Sequence, residues 1–281
     1  MTDVLTRLVV WLNAAAGAVG RWVLAPVAVL PGWLSATLVG AVTGVLLLAV
    51  FKYTSNQRAV KRVRDDISAN LLALKLFKDS AAVAVRAQGA VLLGAARLAV
   101  LALVPMAVMT VPVLLALGQL SLWYQQRPLR VGEEAVVTLT LGGDAGSPWP
   151  AVRLEPTDAA ETTVGPVRVL SKRAVCWNLR ARAGGYHRLV FAVDGQTADK
   201  QLAVGDGFLR ASVRRPAWVW SEALLHPGEE PFPPDSPIRS IEIDYPQRAS
   251  WTSGTDKWVV YWFVVSMVAA LCFRHVLNVH V

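Results

Sequence analysis

The sequence predicts a membrane protein of α plus β type, with three transmembrane helices, a cytoplasmic helical hairpin and an extracytoplasmic antiparallel β-sandwich. Three observations lead there. Of 281 residues, 54% are hydrophobic and 17% charged, against about a quarter charged in a soluble domain. The apolar residues gather into uncharged runs at 33–51, 98–117 and 258–273. Between the second and third runs the hydrophobic period becomes two, broken by glycine-containing turns.

A spanning helix needs roughly 20 apolar residues, within about 17–25. The first two runs have 19 and 20 residues; the third has 16 and is short unless its helix continues through Arg274. Charge orients them. Residues 52–86 hold eight Lys/Arg against three acids, whereas 119–256 hold 15 basic and 16 acidic residues. Short loops dominate the positive-inside rule, and long domains cross regardless of charge. The expected location is a plasma or inner membrane, with the N-terminus out and the hairpin and C-terminus cytoplasmic. The β domain is then extracytoplasmic, periplasmic where two membranes exist. Arg274 and His275 at the inner end of the third run agree, while Lys257 at its outer end does not. The basic excess borders the bilayer, so the partners implied are the lipid bilayer and its anionic head groups, with no nucleic acid. Cys176 and Cys272 fall in the β domain and the third span, which implies no disulfide framework. The N-terminus lacks the early cations and long apolar core of a cleaved secretory signal.

Residues 1–30 read as an N-terminal amphipathic, interfacial helix. Val4, Leu8, Trp11 and Leu12 recur at helical spacing, Arg7, Asn13 and Arg21 interrupt them, and Pro26 and Pro31 break the chain. The competing reading is a re-entrant or spanning segment over 22–30. The first span, 31–51, carries Gly40 and Gly44 four apart, a spacing that lets a second helix approach closely in lipid. Packing within the chain is preferred there to dimerisation.

Residues 52–88 contain a long stretch free of glycine and proline. Val60, Val63, Ile67, Leu74, Phe77, Ala81 and Ala84 follow a heptad-like register, with Asn70 at one core position. The polar cluster Asp65, Asp66, Ser68 and Asn70 is the expected turn of a basic helical hairpin. Arg58, Lys61, Arg62, Arg64, Lys75 and Lys78 would face lipid or a partner; a plain helical linker anchored to head groups is equally consistent. The second span, 89–118, contains Arg97. It is either an intramembrane functional residue, if the span starts near Gly89, or a boundary anchor whose guanidinium snorkels to the head groups, if it starts at Leu98.

Residues 119–216 read as the β domain, with strands at 135–141, 167–170, 174–181, 187–193, 201–204 and 211–214. Turn residues at 142–143, 184–185, 194–195 and 205–207 separate them. Gly185-Tyr186 before a strand looks like a tyrosine corner, Trp177 reads as core, and the strand spacing suggests an Ig-like β-sandwich. A segment from 125 to about 216 is expected to fold by itself. Residues 217–256, rich in proline, read as an extended strap with one strand-like piece at 240–243, and 257–281 as the third span and a short cytoplasmic tail.

No residue pattern carries an enzyme's chemistry. The four histidines lack metal-ligand spacing, and no phosphate loop, nucleophile elbow or zinc-protease motif occurs. Cys176 reads as a small strand residue, and Glu229 and Glu230 as solvated strap carboxylates. No enzyme, metal or cofactor is expected.

An outer interfacial helix, an N-out span, a basic cytoplasmic hairpin and two further spans together resemble the core of the YidC/Oxa-type membrane insertases over about half the chain. The resemblance implies a hydrophilic groove open to the cytoplasm, with nascent chains as clients. Members often carry an arginine on the first core span. Here residues 33–51 hold no charge, Arg97 on the second span is the nearest analogue, and the β domain is an addition to that core. The leading expectation is a non-enzymatic membrane scaffold or interaction protein, its β-sandwich binding an unidentified protein partner. A YidC/Oxa-type insertase or chaperone is the alternative, and a transporter accessory subunit the second.

Overall fold

Apolar runs and polar breaks set the helix ends. The computed structural model describes residues 2–27, 29–76, 81–143, 147–254, 257–277 and 279. Among these, α1 (Thr2–Val27), α2 (Gly32–Thr54), α3 (Gln57–Leu76) and α4 (Ala81–Tyr124) come first, β1–β8 and the short α5 (Trp220–Leu225) follow, and α6 (Lys257–Phe273) ends the series. The chain forms two compact units, one of residues 1–36 and 114–261, the other of 37–113 and 262–281.

In the second unit the helices begin where the sequence supplies partners for free amides. Pro31 accepts the Leu34 and Ser35 amides ahead of α2. Asn56 caps α3, its Oδ1 accepting the Ala59 amide at 3.1 Å. The turn expected at Asp65–Asn70 does not exist: those residues are helical within α3, and the Asn70 amide side chain donates to the Asp66 carbonyl one turn back. A polar cluster on an exposed helix face needs no turn. Residues 77–80, which include Phe77 and Lys78, lie outside the described set. Helix α4 comes close to α3 at Gly94, where a Cβ would stand 2.6 Å from Ile67 Cγ1. Val60, Val63, Ile67, Asn70 and Leu74 share the half-buried face of α3.

Helix α4 runs through 44 residues without a break, past Pro105 and Pro112, about 66 Å at 1.5 Å per residue. Among the described residues two helices are long and apolar enough to cross a membrane, residues 32–54 and 85–124. The third, α6, is equally apolar but has 17 residues.

In the first unit a five-stranded sheet runs β3-β4-β1-β8-β7 and a three-stranded sheet β2-β5-β6. Strands β1 (Glu134–Leu141) and β4 (Ala174–Ala181) alternate buried and open side chains. So do β5 (Gly185–Val193) and β8 (Ile238–Ile243) along much of their length. Val137, Leu139, Trp177, Leu179, Leu189, Phe191 and Ile241 form one apolar core fed by both sheets, and the Trp177 and Phe191 rings lie 5.4 Å apart. The Asp194-Gly195 turn joins β5 to β6 (Gln196–Val204) with both residues at positive φ, as a two-residue hairpin requires.

Several expectations are corrected. Strand β3 (Ala160–Val169) starts seven residues before 167 and β6 starts five before 201. β2 (Val152–Leu154) was not foreseen, and 211–214 contributes only to β7 (Arg214–Arg215). Tyr186 is not a corner that bonds upstream: its Oη accepts the amide of Arg210, 24 residues downstream. The strand-like piece expected at 240–243 within the proline-rich segment is β8, which begins two residues earlier and pairs with β1 through Val137–Ile243 and Leu139–Ile241. Isoleucines at 238, 241 and 243 put three large side chains into the core, and that burial outweighs the surrounding prolines.

Candidate functional site

Helix α1 turns its polar side inward. Val4, Leu8, Trp11, Val19 and Trp22 are each more than half exposed, whereas Thr6 and Asn13 are buried. The stripe read from the sequence as amphipathic therefore points away from the protein. Asn13, Gly17 and Arg21, spaced four apart, line a cavity of about 300 Å³ completed by Arg210 and residues 227–231. A Cβ on Gly17 would come 3.6 Å from Gln119 Oε1, an ordinary contact.

Asn13 fixes the polarity of this cavity. Its Nδ2 donates to the Ala223 carbonyl at 2.7 Å; that carbonyl can only accept, so the amide orientation is determined. Oδ1 is then buried without a partner, as is Nε of Arg210. Arg210 uses Nη2 on the Gly228 carbonyl. Burial, with the charge of Arg21 adding to it, pushes the Arg210 guanidinium below its usual value.

Glu229 and Glu230 border the same cavity and differ in role. Glu229 is not the solvated carboxylate expected. Its Oε1 accepts from Lys200 Nζ and Ser212 Oγ, each at 2.5 Å, and its Oε2 from the Gln201 amide at 2.9 Å. Lys200 has no exposed surface and also donates to the Ser212 carbonyl. Burial lowers the Lys200 pKa, and the Glu229 charge opposes that. Glu230 stays exposed, with no ion pair among the described residues.

The remaining candidates lie in the other unit. Arg58, Lys61, Arg62, Arg64 and Lys75 are all exposed on α3. Arg97 is exposed on α4 and makes no ion pair or hydrogen bond among the described residues. Gly40 and Gly44 face α6: a Cβ on Gly40 would lie 3.1 Å from Val265 Cγ1, and one on Gly44 2.7 Å from Ser266 Cα. Cys176 is half-buried with its Sγ 3.6 Å from Thr138 Oγ1, and Cys272 is exposed.

Sequence reasoning treated Asn13 and Arg21 as interruptions and did not single out Lys200, Ser212 or Arg210. The available signal was the i, i+4, i+8 row Asn13, Gly17, Arg21 opposite an apolar stripe. Nothing local marked Arg210 or Glu229, which reach the cavity from the segment between β6 and β7 and from the proline-rich segment. Comparison with protein-family models, with curated proteins and with solved structures returned no match to this chain, so its assignment rests on residues and geometry.

Proposed function

We propose that the protein is a non-enzymatic integral membrane scaffold, with α2, α4 and α6 as three spans and an Ig-like β-sandwich presented outside the cytoplasm to a protein partner. One observation carries the reading. Leu92, Leu93, Val100, Leu103, Val104 and Met106 of α4 are each more than half exposed, an apolar surface that water does not tolerate over such a length and lipid does. The β domain, by contrast, buries its own core. The basic hairpin of α3 and the start of α4 lies on the cytoplasmic side in this reading, where its cations meet anionic head groups.

The test is accessibility in intact cells, with Cys176 and Cys272 replaced by serine. A cysteine at Asn70 stays shielded from an impermeant maleimide, and one at Gly143 reacts. The reverse pattern removes both the orientation and the scaffold reading built on it.

An insertase reading is second, favoured by the α3–α4 hairpin with its exposed cations and by the unpaired Arg97. Crosslinking from the hairpin in native membranes separates the two. Nascent chains or ribosomes captured there support the insertase, and a stable envelope protein captured by the β domain supports the scaffold.

A further inference from the structure

The cavity beside α1 has needs of two opposite kinds. Arg21 and Arg210 bring two cations with no carboxylate partner among the described residues, and Arg210 Nε is a buried donor without an acceptor. At the Asn13 wall the unmet group is an acceptor: Oδ1, on a residue only 7% exposed. The exposed carboxylate of Glu230 adds negative charge at the rim. A simple anion would satisfy the arginines and leave Oδ1 unmet. A cation would do the reverse.

We propose that this cavity binds a phosphoethanolamine group, its phosphodiester between Arg21 and Arg210 and its ammonium donating to Asn13 Oδ1 beside Glu230. A guanidinium matches phosphate oxygens in geometry and charge. A primary ammonium has three donors for Oδ1 and a carboxylate, whereas a quaternary ammonium has none. About 300 Å³ is at the small end of ligand pockets; it holds a head group and leaves acyl chains outside. Trp11 and Trp22 are exposed on the same helix, and tryptophan favours the head-group level of a bilayer. The group can come from a phospholipid or from a water-soluble phosphodiester. The lipid source rests on the membrane reading above; the soluble one does not.

The experiment uses the full chain in detergent, with binding read by native mass spectrometry and by the shift in melting temperature. The probes are dihexanoyl phosphatidylethanolamine, its phosphatidylcholine and phosphatidylglycerol counterparts, and glycerophosphoethanolamine. The ethanolamine lipid is expected to bind roughly tenfold or more tightly than the choline lipid, from the loss of charge-assisted hydrogen bonds. Arg21→Ala, at an exposed position that leaves the fold intact, weakens binding by a similar factor. Asn13→Ala reduces the preference for ethanolamine over choline, with folding checked by circular dichroism. If glycerophosphoethanolamine binds as well, the head group alone is recognised; if only the lipid binds, the source is the membrane. Both outcomes support the site. Equal binding of all three lipids, or binding unaffected by Arg21→Ala, overturns it and leaves the cavity to water.

Discussion

Lys200 Nζ lies 2.5 Å from Glu229 Oε1, with the lysine fully buried and the glutamate side chain 13% exposed. Removing one member of such a pair strands the other's charge away from water, a cost of about 3–5 kcal/mol. Glu229→Gln is therefore expected to destabilise strongly. Lys200→Met should cost less, because Glu229 keeps Ser212 Oγ and the Gln201 amide. The double variant should recover most of the loss. Melting temperatures of the four proteins check this, and a double variant no better than Glu229→Gln would show that the pair is not coupled.

Strand β8 sits between β1 and β7, so the autonomous domain cannot end near residue 216. A segment of 125–216 lacks Ile238, Ile241 and Ile243 and exposes the β1 edge that they cover. It is expected to aggregate or to give a disordered circular dichroism spectrum. A segment of 125–250 retains the strand and is expected to be β-rich with a cooperative melt. Equal behaviour of the two would remove β8 from the core.

Acid should loosen the entrance to the β domain. Arg127 holds Glu133 by two hydrogen bonds, at 2.7 and 2.8 Å. These bonds first, and the Arg130 amide after them, lower the Glu133 carboxyl from its ordinary 4.5 to about 2. A depressed carboxyl stabilises the fold above its unfolded value and loses that contribution as pH falls from about 4.5 toward 2. After solvent screening the effect is about 1 kcal/mol. The wild type should melt above Glu133→Gln at pH 6, and the gap should narrow as pH falls from about 4.5 and close only below about pH 2.

Gly44 leaves no room for a side chain, with Ser266 Cα 2.7 Å from where its Cβ would stand. Gly44→Leu should cost about 1–3 kcal/mol by overpacking α2 against α6. Gly89, with nothing within 4 Å of its Cβ position, provides the control. Gly89→Ala should be neutral or stabilise by up to about 1 kcal/mol through helix propensity. Thermal stability in detergent ranks the variants, and equal loss at both sites would contradict close packing at Gly44.

The sequence by itself determined what local composition determines. Uncharged runs marked α2, α4 and α6 because a helix's apolar length needs no tertiary partner to be recognised. The alternation at 174–181 located β4 to the residue, and Asp194-Gly195 located the β5–β6 hairpin, because pleat and turn chemistry act over a few residues. Tertiary structure decided the rest. Polar residues at 65–70 stay helical within α3, where Ile67 packs against Gly94 of α4. The strand-like piece at 240–243 was legible, but its pairing with β1 and the burial of Ile238, Ile241 and Ile243 belong to the folded sheet. Asn13, Arg21, Arg210 and Glu229 come from three distant stretches, and only folding brings them around one cavity. A buried acceptor and two cations lining one cavity are a relation between side chains, and no window along the chain contains it.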